Sequence, residues 1–226
     1  MWAVGIMGGT FDPIHYGHLV AAEVARSHFG LSEVVFVPTG RPPHKEGAKV
    51  TDAEHRYLMT VLATATNPHF SVSRSEVDRP GPSYTVDTVA DMRRTYGPDC
   101  GMFFITGADA VREMGTWHRP EELFAMCEVI AATRPGYPLG RLNLPDLGEE
   151  ALAHIHFLEV PALAISSSDI RERVAGGSPI KYLVPESVEA YIEKRALYRT
   201  PNARERGGAA PGGPPGRSPN DPSPRR

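Results

Sequence analysis

Cysteine, net charge and long apolar runs are all scarce in this sequence, and each shortage removes a class of protein. Two cysteines occur, Cys100 and Cys127, and they form no CxxC pair. A disulfide-stapled scaffold and a cysteine-built zinc fold are therefore excluded, and both residues read as reduced thiols in a cytoplasmic protein. No apolar run reaches the roughly eighteen residues that a membrane helix needs, so no span and no membrane partner are expected. The opening stretch MWAVGIMGG has no basic leader before its apolar residues, which argues against a secretory signal. Basic residues number 24 against 27 acidic ones, a net charge of −3, so bulk electrostatics favour neither nucleic acid nor an anionic surface as partner. What remains is ordinary for a globular chain: 226 residues, 41% hydrophobic and 23% charged, enough for one medium domain with a real core.

Composition shifts near Arg199. Beyond it the chain is Pro, Gly, Ser, Asn and Arg with almost nothing apolar, too little burial to offset the entropy of ordering. The expectation is a single domain over residues 1–199 and a disordered tail over 200–226. Its arginines (Arg204, Arg206, Arg217, Arg225, Arg226) read as solvated.

Within the domain, strand-like and helix-like segments alternate. Strands are expected at Trp2–Met7, Glu33–Val37, Phe70–Val72, Met102–Thr106, Val129–Ala132 and His156–Val160. Helices are expected at Leu19–Phe29, Ala53–Ala65, Val86–Tyr96, Ser167–Val174 and Glu186–Arg195. Such alternation implies right-handed crossovers and a mostly parallel sheet covered on both faces, a doubly wound α/β (Rossmann-like) fold. Ligands in that fold bind beyond the carboxyl ends of the strands, where the strand order reverses.

One segment sits where such a site should lie: Gly8-Gly9-Thr10-Phe11-Asp12-Pro13-Ile14-His15-Tyr16-Gly17-His18, between the first strand and the first helix. Paired glycines let the backbone turn tightly and bring N–H groups near phosphate oxygens. His15 and His18, three apart, fall on one face near the helix start, and Gly17 leaves room for a phosphate. A helix N-terminus contributes only about 0.3–1 kcal/mol toward an anion, so donor side chains and a metal ion must supply the rest. Read from the residues alone, two alternatives stand beside this: a zinc pair, for which no third ligand is evident, and histidines satisfied within the structure.

A strand, GGTFDP and then HxGH resemble the nucleotidyltransferases that share this histidine motif with class I aminoacyl-tRNA synthetases. The resemblance implies that Gly8, Gly9, Thr10, Phe11, His15 and His18 meet the ATP phosphates, with His18 the chief catalytic residue and His15 its partner. Far along the chain, Ile165-Ser166-Ser167-Ser168-Asp169-Ile170-Arg171 is similar to the family's ISSTxIR motif. Serines at a helix start cap N–H groups and donate to phosphate oxygens, and Arg171 offers a planar fork one turn in, a third catalytic candidate. Ser168 stands where threonine is usual and keeps the hydroxyl.

The middle of the chain narrows the resemblance to the nicotinate-nucleotide adenylyltransferases, over about residues 3–198. Phe104–Ala110 resembles that family's strand followed by G-x-D, which implies that Gly107 and Asp109 hold the adenosine ribose. Trp117, followed by His118, matches a tryptophan that stacks on the nicotinate ring. Ser83-Tyr84-Thr85 resembles the SYT segment that holds the nicotinate carboxylate, and Arg134 follows a strand where a nucleotide phosphate contact is expected. Pro42-Pro43-His44-Lys45 looks like a loop near the phosphates, with Lys45 a candidate ligand. The implied reaction is adenylyl transfer from ATP to nicotinate mononucleotide. Mg²⁺ would bridge the ATP phosphates with few protein ligands and no dedicated protein metal site. Rival readings are a transferase for another phosphomonoester (nicotinamide mononucleotide or phosphopantetheine), a nucleotide-binding regulator without chemistry, and an RNA-binding protein, which the basic tail alone supports. Association of identical copies stays open.

Overall fold

The computed structural model describes residues 2–42, 50–136 and 148–199. The residue range 200–226, the expected tail, and Lys45 lie outside the described residues. Six strands form one sheet: β1 (Ala3–Gly9), β2 (Glu33–Pro38), β3 (Phe70–Val72), β4 (Gly101–Gly107), β5 (Glu128–Thr133) and β6 (Ile155–Glu159). Their order is β3-β2-β1-β4-β5-β6 and every pairing is parallel. The doubly wound expectation holds. Connections run outward from β1 to β2 and β3, then α3 (Thr85–Tyr96) carries the chain back to β4 on the other side of β1. The reversal therefore lies between the carboxyl ends of β1 and β4, which are Gly8-Gly9 and Thr106-Gly107.

Alternation along each strand fills two cores. One face carries Met7, Phe36, Ile105 and Ile130, packed against α1 (Tyr16–Phe29), α2 (Ala53–Thr64), α7 (Ser167–Ala175) and α8 (Glu186–Lys194) through Ala22, Ala25, Met59, Ile170 and Val188. Val4, Ile6, Val35, Val37, Phe104 and Val129 point the other way, toward Val86, Val89 and Met92 of α3 and Leu123 of α5 (Pro120–Met126). Burial on both faces is what excludes a hydrophobic/polar alternation in these strands and gives them their near-continuous apolar sequence.

Helix ends follow local chemistry. Asp52 caps α2 by accepting the Glu54 N–H at 2.9 Å, Ser166 caps α7 through Asp169 N–H at 3.1 Å, and Gly30 closes α1 in the left-handed conformation at φ 62°. α1 begins at Tyr16, a turn earlier than its apolar periodicity indicates, with His15 as its N-cap and His18 in its first turn. The short helices α4 (Ala108–Val111), α5 and α6 (Glu149–Ala153) escape the sequence pattern; four to seven residues carry too little periodicity to register.

Candidate active site

The loop leaving β1 is held from within the protein. Gly9 O accepts the Thr39 N–H at 2.9 Å, Thr10 O accepts Arg56 Nη1 at 2.8 Å, Asp12 O accepts Arg171 Nη1 at 2.7 Å and Pro13 O accepts Ser167 Oγ at 2.9 Å. Carbonyl oxygens repel phosphate oxygens, and here the loop's carbonyls are tied to protein donors instead. Phe11 within it adopts φ 48°, unusual for a side chain of this size and at a cost of about 1–3 kcal/mol. A Cβ on Gly9 would sit 2.8 Å from the Phe11 ring, so the second glycine is required by that turn. The Asp12 carboxylate is buried and doubly held: Tyr198 Oη donates to Oδ1 at 2.7 Å and the Thr51 N–H donates to Oδ2 at 3.1 Å.

His15 and His18 stack with ring centroids 3.8 Å apart and planes 28° from parallel, while Phe11 meets His18 edge-on at 5.1 Å. Gly17 makes this stack possible. A Cβ there would lie 2.9 Å from His15 Nδ1, so the space expected to admit phosphate is taken by the histidine ring itself. Burial lowers His15 to a pKa of about 4, and burial together with His15 lowers His18 to about 3. Both rings are neutral at physiological pH. The His15 backbone N–H donates to His18 Nδ1 at 3.2 Å, which assigns the His18 proton to Nε2. His18 is thus a neutral Nε2–H donor. His15 Nδ1 is buried with no hydrogen-bond partner among the described residues.

Two cavities open at the switch point and share Gly8 and Thr106 as their common wall. The first, about 300 Å³, is lined by His15, Gly17, His18, Gly107 and Arg134. The second, about 280 Å³, is lined by Gly9, Thr10, Ser83, Tyr84, Thr85, Trp117 and His118. Trp117 stands edge-on to Phe104 at 6.0 Å, and His118 overlies Tyr84 at 4.3 Å. Asp109 lies exposed in the first turn of α4.

Of the residues expected at ATP, His15, His18 and Gly107 line the first cavity and Gly8 borders both, whereas Gly9 and Thr10 line the second, beside Ser83, Tyr84, Thr85, Trp117 and His118 expected for the nicotinate nucleotide; Phe11 and Asp109 line neither. Arg134, expected with the nicotinate nucleotide, lines the cavity of His15 and His18, because β5 lies beyond β4 on the side away from β2. Ser166, Ser167, Ser168 and Arg171 line neither cavity. Ser166 caps α7, Ser167 holds Pro13, and the Arg171 fork is shared between Asp12 O and Ser168 Oγ, the latter at 3.3 Å.

Sequence reasoning missed the far wall of the first cavity, formed by Thr133, Val160, Pro161, Leu163 and Ile165. These residues carry no chemical signature. It also missed Glu76, buried in the second cavity, its carboxyl pushed up by burial and accepting from Thr88 Oγ1. Arg56 was missed as well, although its spacing offers a signal: with Met59, Thr60 and Ala63 it sits at i, i+3, i+4, i+7 on the buried stripe of α2.

A cytidylyltransferase-like family model matches residues 6–173. A Moorella thermoacetica protein named "Probable nicotinate-nucleotide adenylyltransferase" is 64% identical over 198 residues, covering 87% of this chain and 91% of that protein. A Saccharopolyspora erythraea protein of the same name is 53% identical, covering 87% and 89%. Among solved structures, Plasmodium falciparum nicotinic acid mononucleotide adenylyltransferase complexed with NaAD superposes with a TM-score of 0.69 at 20% identity, over 88% of this chain and 98% of that one. That likeness bears on the fold.

Proposed function

Because the chain belongs to the nicotinate-nucleotide adenylyltransferases of the cytidylyltransferase-like family, we propose that its two cavities are the two substrate sites of adenylyl transfer. The reaction joins the AMP part of ATP to nicotinate mononucleotide, giving nicotinate adenine dinucleotide and pyrophosphate, a step of NAD biosynthesis. ATP is assigned to the cavity of His15, His18, Gly107 and Arg134, and the pyridine nucleotide to that of Thr85 and Trp117. The observation that carries this assignment is the shared wall: Gly8 and Thr106 border both chambers, so a group entering from each side meets at the carboxyl ends of β1 and β4.

No protein nucleophile is needed. An oxygen of the mononucleotide 5′-phosphate attacks the α-phosphorus of ATP, a P–O bond forms, the bond to the bridging oxygen breaks and pyrophosphate leaves. Catalysis then rests on positioning and on donors placed where charge develops. His18 Nε2–H supplies one such donor to an α-phosphate oxygen, and its neutrality keeps the proton in place throughout. Mg²⁺ enters as part of the ATP substrate. Among the described residues, the polar side chains around the first cavity are imidazoles, hydroxyls and a guanidinium, with no carboxylate, a donor set that suits a metal ion carried by phosphates and water. Trp117 offers its indole face to the pyridine ring, and Thr85, at the first turn of α3, offers a hydroxyl and a helix-end N–H to the nicotinate carboxylate. That pairing favours the acid over the amide. The enzyme is assigned to the cytoplasm.

Pyrophosphate release from ATP, Mg²⁺ and nicotinate mononucleotide tests the reaction. Repeating it with nicotinamide mononucleotide tests the acid preference, which equal kcat/KM values for the two substrates would refute.

A further inference from the structure

Arg56 borders neither substrate cavity and is 1% exposed, yet its side chain reaches the backbone behind both. A buried guanidinium is expensive unless its N–H groups are satisfied. Here they go to carbonyls of three separate segments: Nε to Thr51 O at 2.8 Å, Nη1 to Thr10 O at 2.8 Å and Nη2 to Gly40 O at 3.1 Å. No ion pair to Arg56 occurs among the described residues; its hydrogen bonds go to backbone, while the charges of Asp12, Asp52 and Glu76 favour the guanidinium against its burial.

Two of the three acceptors lead to a substrate wall. Thr10 precedes Phe11, whose ring meets His18 edge-on at 5.1 Å. Gly40 is pressed so closely on the segment carrying Glu76, which lines the second cavity, that a Cβ there would lie 2.0 Å from Glu76 O. Its neighbour Arg41 exchanges two bonds with Ser83: the Ser83 N–H donates to Arg41 O at 3.0 Å and the Arg41 N–H to Ser83 Oγ at 3.3 Å. Ser83 is followed by Tyr84 and Thr85. One planar fork therefore joins the His18 side of the site to the Thr85 side.

We propose that Arg56 is a positioning residue that sets the separation of the two substrate cavities, and with it the alignment of the attacking phosphate on the α-phosphorus of ATP. The inference rests on the two-cavity reading above. A fork can hold three carbonyls in fixed relation; a lysine ammonium is a point charge on a flexible stem and cannot. An error of about 1 Å between reacting groups is enough for roughly a hundredfold loss of rate, while each substrate alone still finds its own chamber.

The test uses the full-length protein. Pyrophosphate formation by the unmodified enzyme comes first: its absence would remove the two-cavity reading and this proposal with it, whereas a failure confined to the variants overturns the proposal alone. In R56K, kcat per folded molecule should fall about 10- to 100-fold. Dissociation constants of ATP and of nicotinate mononucleotide, each measured alone by calorimetry, should stay within about threefold. In R56A, guanidinium at tens of millimolar should restore part of kcat, whereas urea should not. The proposal is overturned if R56K keeps kcat within about threefold, or if its affinity for either substrate falls as much as its rate. It is equally overturned if the activity lost in R56A only tracks the unfolded fraction and guanidinium restores none.

Discussion

The phosphate end of the site and its pyridine end are built in opposite ways. Around β1 and α1, nearly every polar group is spoken for: loop carbonyls by Thr39, Arg56, Arg171 and Ser167, the Asp12 carboxylate by Thr51 and Tyr198, His18 Nδ1 by the His15 N–H. The pyridine end is assembled from the start of α3 and the segment between α4 and α5, where Trp117 is half-buried, His118 exposed and ring contacts predominate. A region that stabilises a transition state has to be pre-arranged, because reorganisation during reaction would cost what the site is meant to supply. A region that grips a flat ring needs area more than angular precision. Substitutions at the first end should therefore appear in kcat, and those at the second in KM.

The largest effect is expected from His18→Ala. Loss of one pre-arranged donor should lower kcat by about 10²–10³ with little change in KM for either substrate, in steady-state assays of pyrophosphate release. A KM effect of comparable size would merge the two regions into one.

Acid titration tests the same end through stability. His15 and His18 have pKa values lowered from 6.5 to about 4 and about 3, so the unfolded chain binds more protons than the folded one throughout that interval. The stabilising contribution is complete above pH 6.5 and is lost as pH falls toward 4, at up to about 1.4 kcal/mol per pH unit for each ring. Urea unfolding at pH 7 and pH 5 should show the decline, and a His15→Gln, His18→Gln double variant should flatten it.

Gly17→Ala comes next. The new methyl would stand 2.9 Å from His15 Nδ1, so the stacked pair must open, and kcat should fall about 10- to 100-fold with the fold retained by circular dichroism. Trp117→Ala moves the comparison to the other end. KM for nicotinate mononucleotide should rise about tenfold, in line with roughly 1–3 kcal/mol for ring stacking, while kcat and KM for ATP stay nearly constant. A fall in kcat equal to the rise in KM would show that the pyridine end is as stringent as the phosphate end. The smallest effect belongs to Tyr198→Phe, which removes one bond to a buried carboxylate. A loss of about 1.5–3 kcal/mol in unfolding free energy is expected.

The same contrast explains what could be read in advance. The phosphate end lies in eleven consecutive residues, each with a local reason to be there, so GGTFDPIHYGH was legible as a unit. The parallel sheet was legible too, because buried strands announce themselves as apolar runs between helical periods. Arg134 was legible as a residue after a strand but not as a member of one chamber, since that depends on β5 lying outside β4. The far wall of the cavity assigned to ATP uses Val160 and Leu163, whose contribution is shape, and shape has no sequence signature. The fork of Arg171 is legible as a phosphate ligand, but its hydrogen bonds to Asp12 O and Ser168 Oγ are not. Arg56 hid on an apolar helix stripe, where a charged residue is the anomaly that should have drawn notice.

The bond between Tyr198 and Asp12 spans 186 positions of the chain. During synthesis at roughly 5–20 residues per second the motif waits on the order of ten seconds or more for Tyr198 to follow it. The loop assigned to nucleotide thus exists well before Tyr198 is available to secure it, so a nascent chain carries the motif before it holds the geometry.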